Sequence, residues 1–276
     1  MQIIHEITDI DISNLLIIAI DIEHGKSDLL RFEVGVAVLD TSKLHTVTRK
    51  KKLILTRSFC VGERLFRRDV TKKFKFGMSE LIRLDELEPA LKSVVSNRKF
   101  ALVFHDRRLD VEFLERLQVN LKPDYLFDTS YSAKKMLGST QSLRLADLAK
   151  HFVGLDIPQP AKFFHNAGND ANTTLRVFLM LIVLELSTTA AIDEPMLRAL
   201  RQIAQQPISG LEPYSIPHFH PKPNPPKQNL EEKRKRRREK HERKALMKEW
   251  KEPLKAQKVA DKLAATRKAM LTKARM

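Results

Sequence analysis

The chain has 276 residues, of which 42% are hydrophobic and 30% are charged. This length and apolar content suit one large domain with an appendage, and they exclude wholesale disorder. The formal net charge is +16, and residues 228–276 hold 18 Lys and Arg against 7 Asp and Glu, so +11 of it lies in this segment. A positive charge concentrated in one segment favours a polyanionic partner.

Cysteine content and hydropathy exclude several classes of protein. A lone cysteine, Cys60, cannot form an intramolecular disulfide or a Cys-rich zinc site, which favours a reducing compartment. The longest apolar run is eight residues, Val177–Leu184, whereas a membrane span needs about 20, so no membrane partner is expected. The first eleven residues are acidic, which argues against a secretory signal or a mitochondrial presequence.

The pattern of apolar residues predicts an α/β domain. Strands are expected at 15–22, 32–39 and 53–59, and their short connections favour an antiparallel meander. Two further short strands, at 101–104 and 125–127, alternate with helices, and Asp128 or Thr129 is expected to cap the helix after the last strand. Helical periodicity marks 79–95, 110–117, 143–152, 171–186 and 194–206. The expected sheet is mixed and five-stranded, three antiparallel strands then two parallel ones, flanked by helices.

Composition divides the chain into a domain, a linker and a tail. The domain is expected at 1–212, with its core at about 15–186 and a C-terminal helix at about 193–206. Residues 213–226 hold six prolines, so 213–227 is predicted to be an extended linker. The tail, 228–276, is rich in Lys, Arg, Glu and Ala and is expected to be helical or disordered.

A dense basic cluster, KRKRRREK at 233–240, has several interpretations. It is expected to bind nucleic acid without reading sequence, because phosphate attraction needs only positive charge. An import signal, a docking helix for a protein partner and a simple solvated tail remain open, and the cluster favours a nuclear over a cytoplasmic location. The expected nucleic-acid contacts are Lys233, Arg234, Lys235, Arg236, Arg237 and Arg238.

Two acids follow the most apolar strand. Asp21 and Glu23 are two residues apart and would share one face of a strand. Like charges side by side at a core edge need a cation or a proton for relief. The alternative is that the strand ends at Ile20 and both acids face water.

Acidic residues at two helix starts are further candidates. In HDRRLD at 105–110, either Asp106 or Asp110 is an ordinary helix cap or a site residue. In HNAGND at 165–170, His165 and Asp170 converge most easily if the histidine lies on a loop and the acid in the first turns of the helix.

The segment KKFKF at 72–76 interleaves lysine and phenylalanine. A stacking platform for nucleic-acid bases is one interpretation. Core phenylalanines flanked by surface lysines are the one we favour.

Six segments, taken in order, resemble the DEDDh 3′–5′ exonucleases, the DnaQ-like group of the ribonuclease H-like superfamily. The resemblance covers about residues 15–186. Within the group, the segments are most similar to those of fungal exonuclease-like proteins. The chain departs from the common pattern at His24, where many relatives have Thr or Ser. The segments are IDIE (20–23), FEVGVA (32–37), FHDRRLDVEFL (104–114), FDTSYSAKKML (127–137), SLRLADLAKHF (142–152) and HNAGNDANTTL (165–175).

The resemblance implies a site and a chemistry. Asp21, Glu23, Asp110 and Asp170 match the family's four metal-binding acids, and His165 its catalytic histidine, with His105 in a supporting role. Oxygen ligands suit Mg²⁺ or Mn²⁺, two per site in this family. The implied function is metal-dependent hydrolysis of phosphodiester bonds from the 3′ end of single-stranded RNA or DNA. The alternative is a ribonuclease H-like nucleic-acid-binding or adaptor protein with weak catalysis that acts through its basic tail.

Overall fold

The computed structural model describes most of the region before the tail. The linker at 213–227, the tail at 228–276 and the six basic residues from Lys233 to Arg238 lie outside the described residues, so their roles stay predictions. The described residues are 6–25, 28–46, 53–62, 73–95, 98–141, 143–155, 157, 160–187 and 194–208.

A six-stranded mixed sheet forms the centre of the domain, in the order β4-β3-β2-β1-β5-β6. The pairs β1–β2 and β2–β3 are antiparallel, whereas β5 and β6 continue parallel to β1. This confirms three antiparallel strands followed by two parallel ones, consistent with a ribonuclease H-like fold. The strands are β1 (Leu16–Gly25), β2 (Asp28–Asp40), β3 (Leu55–Val61), β4 (Glu80–Ile82), β5 (Phe100–Phe104) and β6 (Tyr125–Asp128).

The predicted count of five strands was wrong, because the segment expected to start a helix at Ser79 first forms β4. This strand pairs parallel to β3, with Phe59 opposite Glu80. Arg57 on β3 holds it with two hydrogen bonds to the Glu80 carboxylate, at 2.9 and 2.7 Å. Three residues are too few to show a strand periodicity, so the helix pattern that follows obscured it.

Seven helices occur in the described residues, together with two short 3-10 helices and a π-helical turn. Asp128, one of the two predicted caps, accepts hydrogen bonds from the backbone N–H groups of Ser130 and Tyr131. The predicted helix at 143–152 is a short α-helix followed by the π turn. The helices are α1 (Leu84–Val95), α2 (Arg108–Arg116), α3 (Thr129–Leu137), α4 (Leu145–Leu148), α5 (Pro160–Phe163), α6 (Ala167–Leu186) and α7 (Glu194–Ala204), with 3-10 helices Ile7–Asp9 and Thr41–Thr46 and the π turn Ala149–Val153.

Helix α6 is the central helix of the domain. It is buried along almost its whole length and packs on one face of the sheet, while α1 and α2 cover the other face. It begins four residues earlier than the sequence predicts. The prediction followed apolar residues and missed the first turn, where the buried residues include polar ones. In the described part of the chain, no helix is long and apolar enough to cross a membrane.

The first turn of α6 approaches the sheet at backbone distance. A Cβ atom at Gly35 on β2 would collide with the backbone of Ala167 and Gly168, and one at Gly168 would collide with the Phe74 ring. Only glycine permits so close an approach at these two positions. The loop before α6 is therefore brought directly over the sheet near Asp21, which pairs with Gly35 in the ladder.

Candidate active site

Asp21 and Glu23, the two acids of the segment IDIE, lie on a strand and share one of its faces. Strand β1 continues to Gly25, so the alternative in which it ends at Ile20 is wrong. Asp21 and Glu23 follow Ala19, which is buried against α6, at alternate positions of the strand. The Oδ2 atom of Asp21 is buried and has no hydrogen-bond partner.

Asp110 rather than Asp106 joins these two acids. It lies in the first turn of α2, where its carboxylate accepts a hydrogen bond from the Ile22 backbone N–H between Asp21 and Glu23. Asp106 is exposed, in a turn with a positive φ of 58°. Of the two acids that the sequence left open, Asp110 is therefore the one at the strand.

The turn before α2 is held by Asp128 and Thr129. The Asp128 carboxylate accepts the backbone N–H groups of Asp106 and Arg107, at 3.2 and 3.0 Å, in addition to capping α3. The His105 Nδ1 atom lies 2.9 Å from the Thr129 hydroxyl. These bonds fix the start of α2 and thereby the direction from which Asp110 approaches β1.

His165 and Asp170 lie as the sequence predicts, on the loop and in the first turn of α6. His165 has a positive φ of 62°, and its backbone N–H donates a 2.8 Å hydrogen bond to the Oδ2 atom of Asp170. Its Nδ1 atom lies 3.4 Å from the Oε1 atom of Glu23, with 75% of the side chain exposed. The other oxygen of Asp170, Oδ1, is buried without a partner.

Burial and neighbouring negative charges raise the pKa values of three acids of the cluster, Asp21, Asp110 and Asp170. Burial raises the pKa of Asp21 and of Asp170 well above the usual range, and the charges of the neighbouring acids add to this. For Asp110, burial and then the charge of Glu23 raise the pKa to about 8. A cluster of this kind is stable only with protons or with cations among its oxygens.

The arrangement fits divalent metal ions. One ligand atom each from Glu23, His165 and Asp170 lies within 4.8 Å of the others, and no partner occupies the buried oxygens of Asp21 and Asp170. Carboxylate oxygens are the donors that Mg²⁺ and Mn²⁺ prefer. These residues could therefore hold such ions, and His165, at the exposed edge, could either join them or remain free to exchange protons.

A fifth carboxylate, Glu33 on β2, was not singled out in the sequence. It is fully buried and lies opposite Glu23 in the ladder. Burial raises its pKa, although hydrogen bonds from Ser58 and from the start of α6 oppose this. A charged residue inside the Val-rich segment FEVGVA was the available signal, since such a residue is rarely buried without partners.

The KKFKF segment contributes to the support of α6. Phe74 is buried and packs on Gly168, which confirms for this residue the favoured interpretation as core. The backbone N–H of Lys75 donates to the Asn169 side chain at 3.0 Å, and that side chain donates to the Lys73 carbonyl at 3.0 Å. The segment therefore supports the first turn of α6 through the packing of Phe74 and the hydrogen bonds to Asn169.

A comparison with protein families agrees with this geometry. The family model described as DNA polymerase III subunit epsilon-like, C-terminal domain (DEDDh) matches residues 16–181. The match covers more than half of the chain and includes all four acids and His165. A search of curated proteins found no match. The chain belongs to the DEDDh family, the epsilon-like exonuclease domains.

Proposed function

We propose that the protein is a metal-dependent 3′–5′ exonuclease that hydrolyses the phosphodiester bonds of single-stranded RNA or DNA. The observation that carries this proposal is the pair of buried, unpartnered oxygens of Asp21 and Asp170 within one cluster of four carboxylates. In an adaptor that never binds cations, burying these charges would destabilise the fold and nothing would offset it. Membership of the DEDDh family supports the same conclusion.

Asp21, Glu23, Asp110 and Asp170 would hold two Mg²⁺ or Mn²⁺ ions. When bound, two such ions supply an activated water and stabilise the leaving 3′-oxygen. The protein's part is to hold four carboxylates in place before substrate arrives, on one strand and in the first turns of two helices. The ladder fixes Asp21 and Glu23, whereas hydrogen bonds from the backbone of Ile22 and His165 fix the other two.

His165 is the proposed general base. Its backbone is anchored by Asp170, while its ring remains 75% exposed beside Glu23. An imidazole in this position can accept the proton of a water molecule that attacks the scissile phosphate. The proton can then pass to solvent, because the ring lies at the open edge of the site.

The surface beside Asp110 suits the end of a single strand. Leu109 is 59% exposed, and the His24 ring stacks on Phe113 at 4.6 Å. The exposed Leu109 side chain and the exposed His24 ring, which the buried Phe113 supports, can contact a nucleotide base without selecting its identity. We also propose that the basic tail at 228–276 binds phosphates farther along the strand and that residues 233–240 direct the protein to the nucleus.

The proposal is tested with single-stranded RNA and DNA of equal length, labelled at either end. We expect loss of mononucleotides from the 3′ end with Mg²⁺ or Mn²⁺ and none with EDTA. An Asp21→Asn variant that melts at least as high as the wild type serves as the inactive control. The absence of metal-dependent shortening of both nucleic acids, or equal rates in this variant, would refute the proposal.

A further inference from the structure

Glu33 is the most deeply buried acid near the site and the proposed mechanism does not use it. Its exposure is 0%, and it lies on the same sheet face as Asp21 and Glu23, under the loop that carries His165. A carboxylate in such a place is retained only when its oxygens are fully hydrogen-bonded.

The hydrogen bonds of Glu33 run to the sheet on one side and to α6 on the other. Its Oε1 atom accepts from the Ser58 hydroxyl at 2.6 Å and from the Asn166 side-chain amide at 2.7 Å. Its Oε2 atom accepts from the Ala167 backbone N–H at 3.3 Å. The carboxylate thus binds the N-cap residue and the first N–H of α6, where negative charge is favoured by the helix dipole.

Asn166 is the residue through which Glu33 reaches the site. While its amide group donates to Glu33, its Oδ1 atom accepts the Asn169 N–H at 3.1 Å and caps α6. Both functions of the side chain are used, so its rotation is fixed. The residue immediately before it is His165, whose left-handed backbone allows the bond to Asp170.

We propose that Glu33 is a positioning residue for the site: by holding Asn166 and Ala167, it fixes the turn that places His165 beside Glu23 and Asp170 beside Asp21. For its effect on rate this role rests on the proposed exonuclease activity, whereas its effect on the order of the loop does not. Substituting a residue that orients a metal ligand through hydrogen bonds commonly lowers activity by about 10–100-fold.

The test substitution is Glu33→Gln, which keeps the shape of the side chain. The amide can accept from Ser58 and Asn166, but its NH₂ group would face the Ala167 N–H, donor against donor. A second variant, Asn166→Ser, retains an N-cap oxygen and removes the side-chain amide that donates to Glu33. The matched control is Thr56→Val, which removes the buried 2.7 Å bond from Asn172 of α6 to β3, away from His165.

Two readouts are measured on the full chain. Hydrogen exchange of the peptide containing residues 165–170 reports the order of the loop without any substrate. Steady-state kinetics on a short oligonucleotide separate kcat from KM. We expect faster exchange in this peptide, and a kcat about 10–100-fold lower with little change in KM, for Glu33→Gln and Asn166→Ser. The control should lose thermal stability while both readouts stay as in the wild type.

Each outcome supports or overturns the role. If the two test variants keep wild-type exchange at 165–170, or if Thr56→Val matches them in both readouts, Glu33 only stabilises the fold. If the wild type shows no hydrolysis at all, the proposed exonuclease function fails, and the exchange data still decide whether Glu33 orders the loop. If Glu33→Gln does not fold, Asn166→Ser decides by the same two readouts.

Discussion

Removing one acid of the cluster should stabilise the metal-free protein while weakening the stabilisation that metal provides. Asp110→Asn is the most informative change, because burial and the charge of Glu23 raise the pKa of this carboxyl from 3.8 to about 8. Each pH unit between those values corresponds to ~1.4 kcal/mol, so the ionised carboxylate costs up to about 6 kcal/mol in the fold. A buried amide has its own cost of about 1–3 kcal/mol, which leaves an expected net gain of roughly 3–5 kcal/mol.

The pH dependence of this gain has a definite sign. Because the folded pKa of Asp110 exceeds the unfolded one, the folded state binds the proton more tightly. The stabilising contribution of the protonated Asp110 to the metal-free wild type is then fully present below about pH 4 and is lost as the pH rises towards 8. The raised pKa values of Asp21 and Asp170 act in the same direction. The variant lacks the Asp110 contribution, so its advantage should be largest at pH 8 and vanish near pH 4.

The assay is thermal melting in EDTA and in Mg²⁺ or Mn²⁺, from pH 4 to 8. In EDTA at pH 8, the melting temperature of Asp110→Asn should exceed that of the wild type by roughly 6–20 °C. Metal should raise the melting temperature of the wild type and much less that of the variant. Asp106→Asn is the matched control, since Asp106 is exposed and asparagine tolerates its positive φ. Equal pH dependence in Asp110→Asn and the wild type would refute the reasoning.

Three further outcomes follow from the proposed mechanism. Asp21→Asn should abolish hydrolysis without loss of folding, checked by circular dichroism and end-labelled oligonucleotides; retained turnover would contradict the assignment of this acid. His165→Ala should slow hydrolysis by ~10²–10⁴-fold and spare metal binding measured by calorimetry, whereas a wild-type rate would remove it from the mechanism. Deletion of 228–276 should leave the rate on a short oligonucleotide nearly unchanged and reduce the log–log salt slope for long single strands by about 0.7 per lost phosphate contact; it should also end nuclear enrichment.

The sequence predicted the order and direction of the main strands because each is short, apolar and bounded by polar residues. It also singled out as candidates the acids that the structure brings together, since carboxylates at the ends of apolar strands and at helix starts are costly. The residue pattern alone did not distinguish Asp106 from Asp110, whereas the family resemblance favoured Asp110. Either acid can cap a helix. The structure distinguishes them because the Asp110 carboxylate accepts a hydrogen bond from the backbone N–H of Ile22, which is distant in sequence.

Glu33 shows why the function of one residue could not be inferred from the sequence, although its charge within an apolar strand makes it conspicuous. In a strand exposed on one face, a charged residue marks the solvent side, but β2 is buried on both faces, so alternation has no polar side to reveal. The partners of Glu33 are 25 and 133 residues away, on Ser58 and Asn166. Gly35, two residues along the strand, lets α6 approach closely enough for those bonds to form. The positions that bring the histidine to the acids are thus a glycine and a buried acid, and each acquires its function only through contacts that the fold creates.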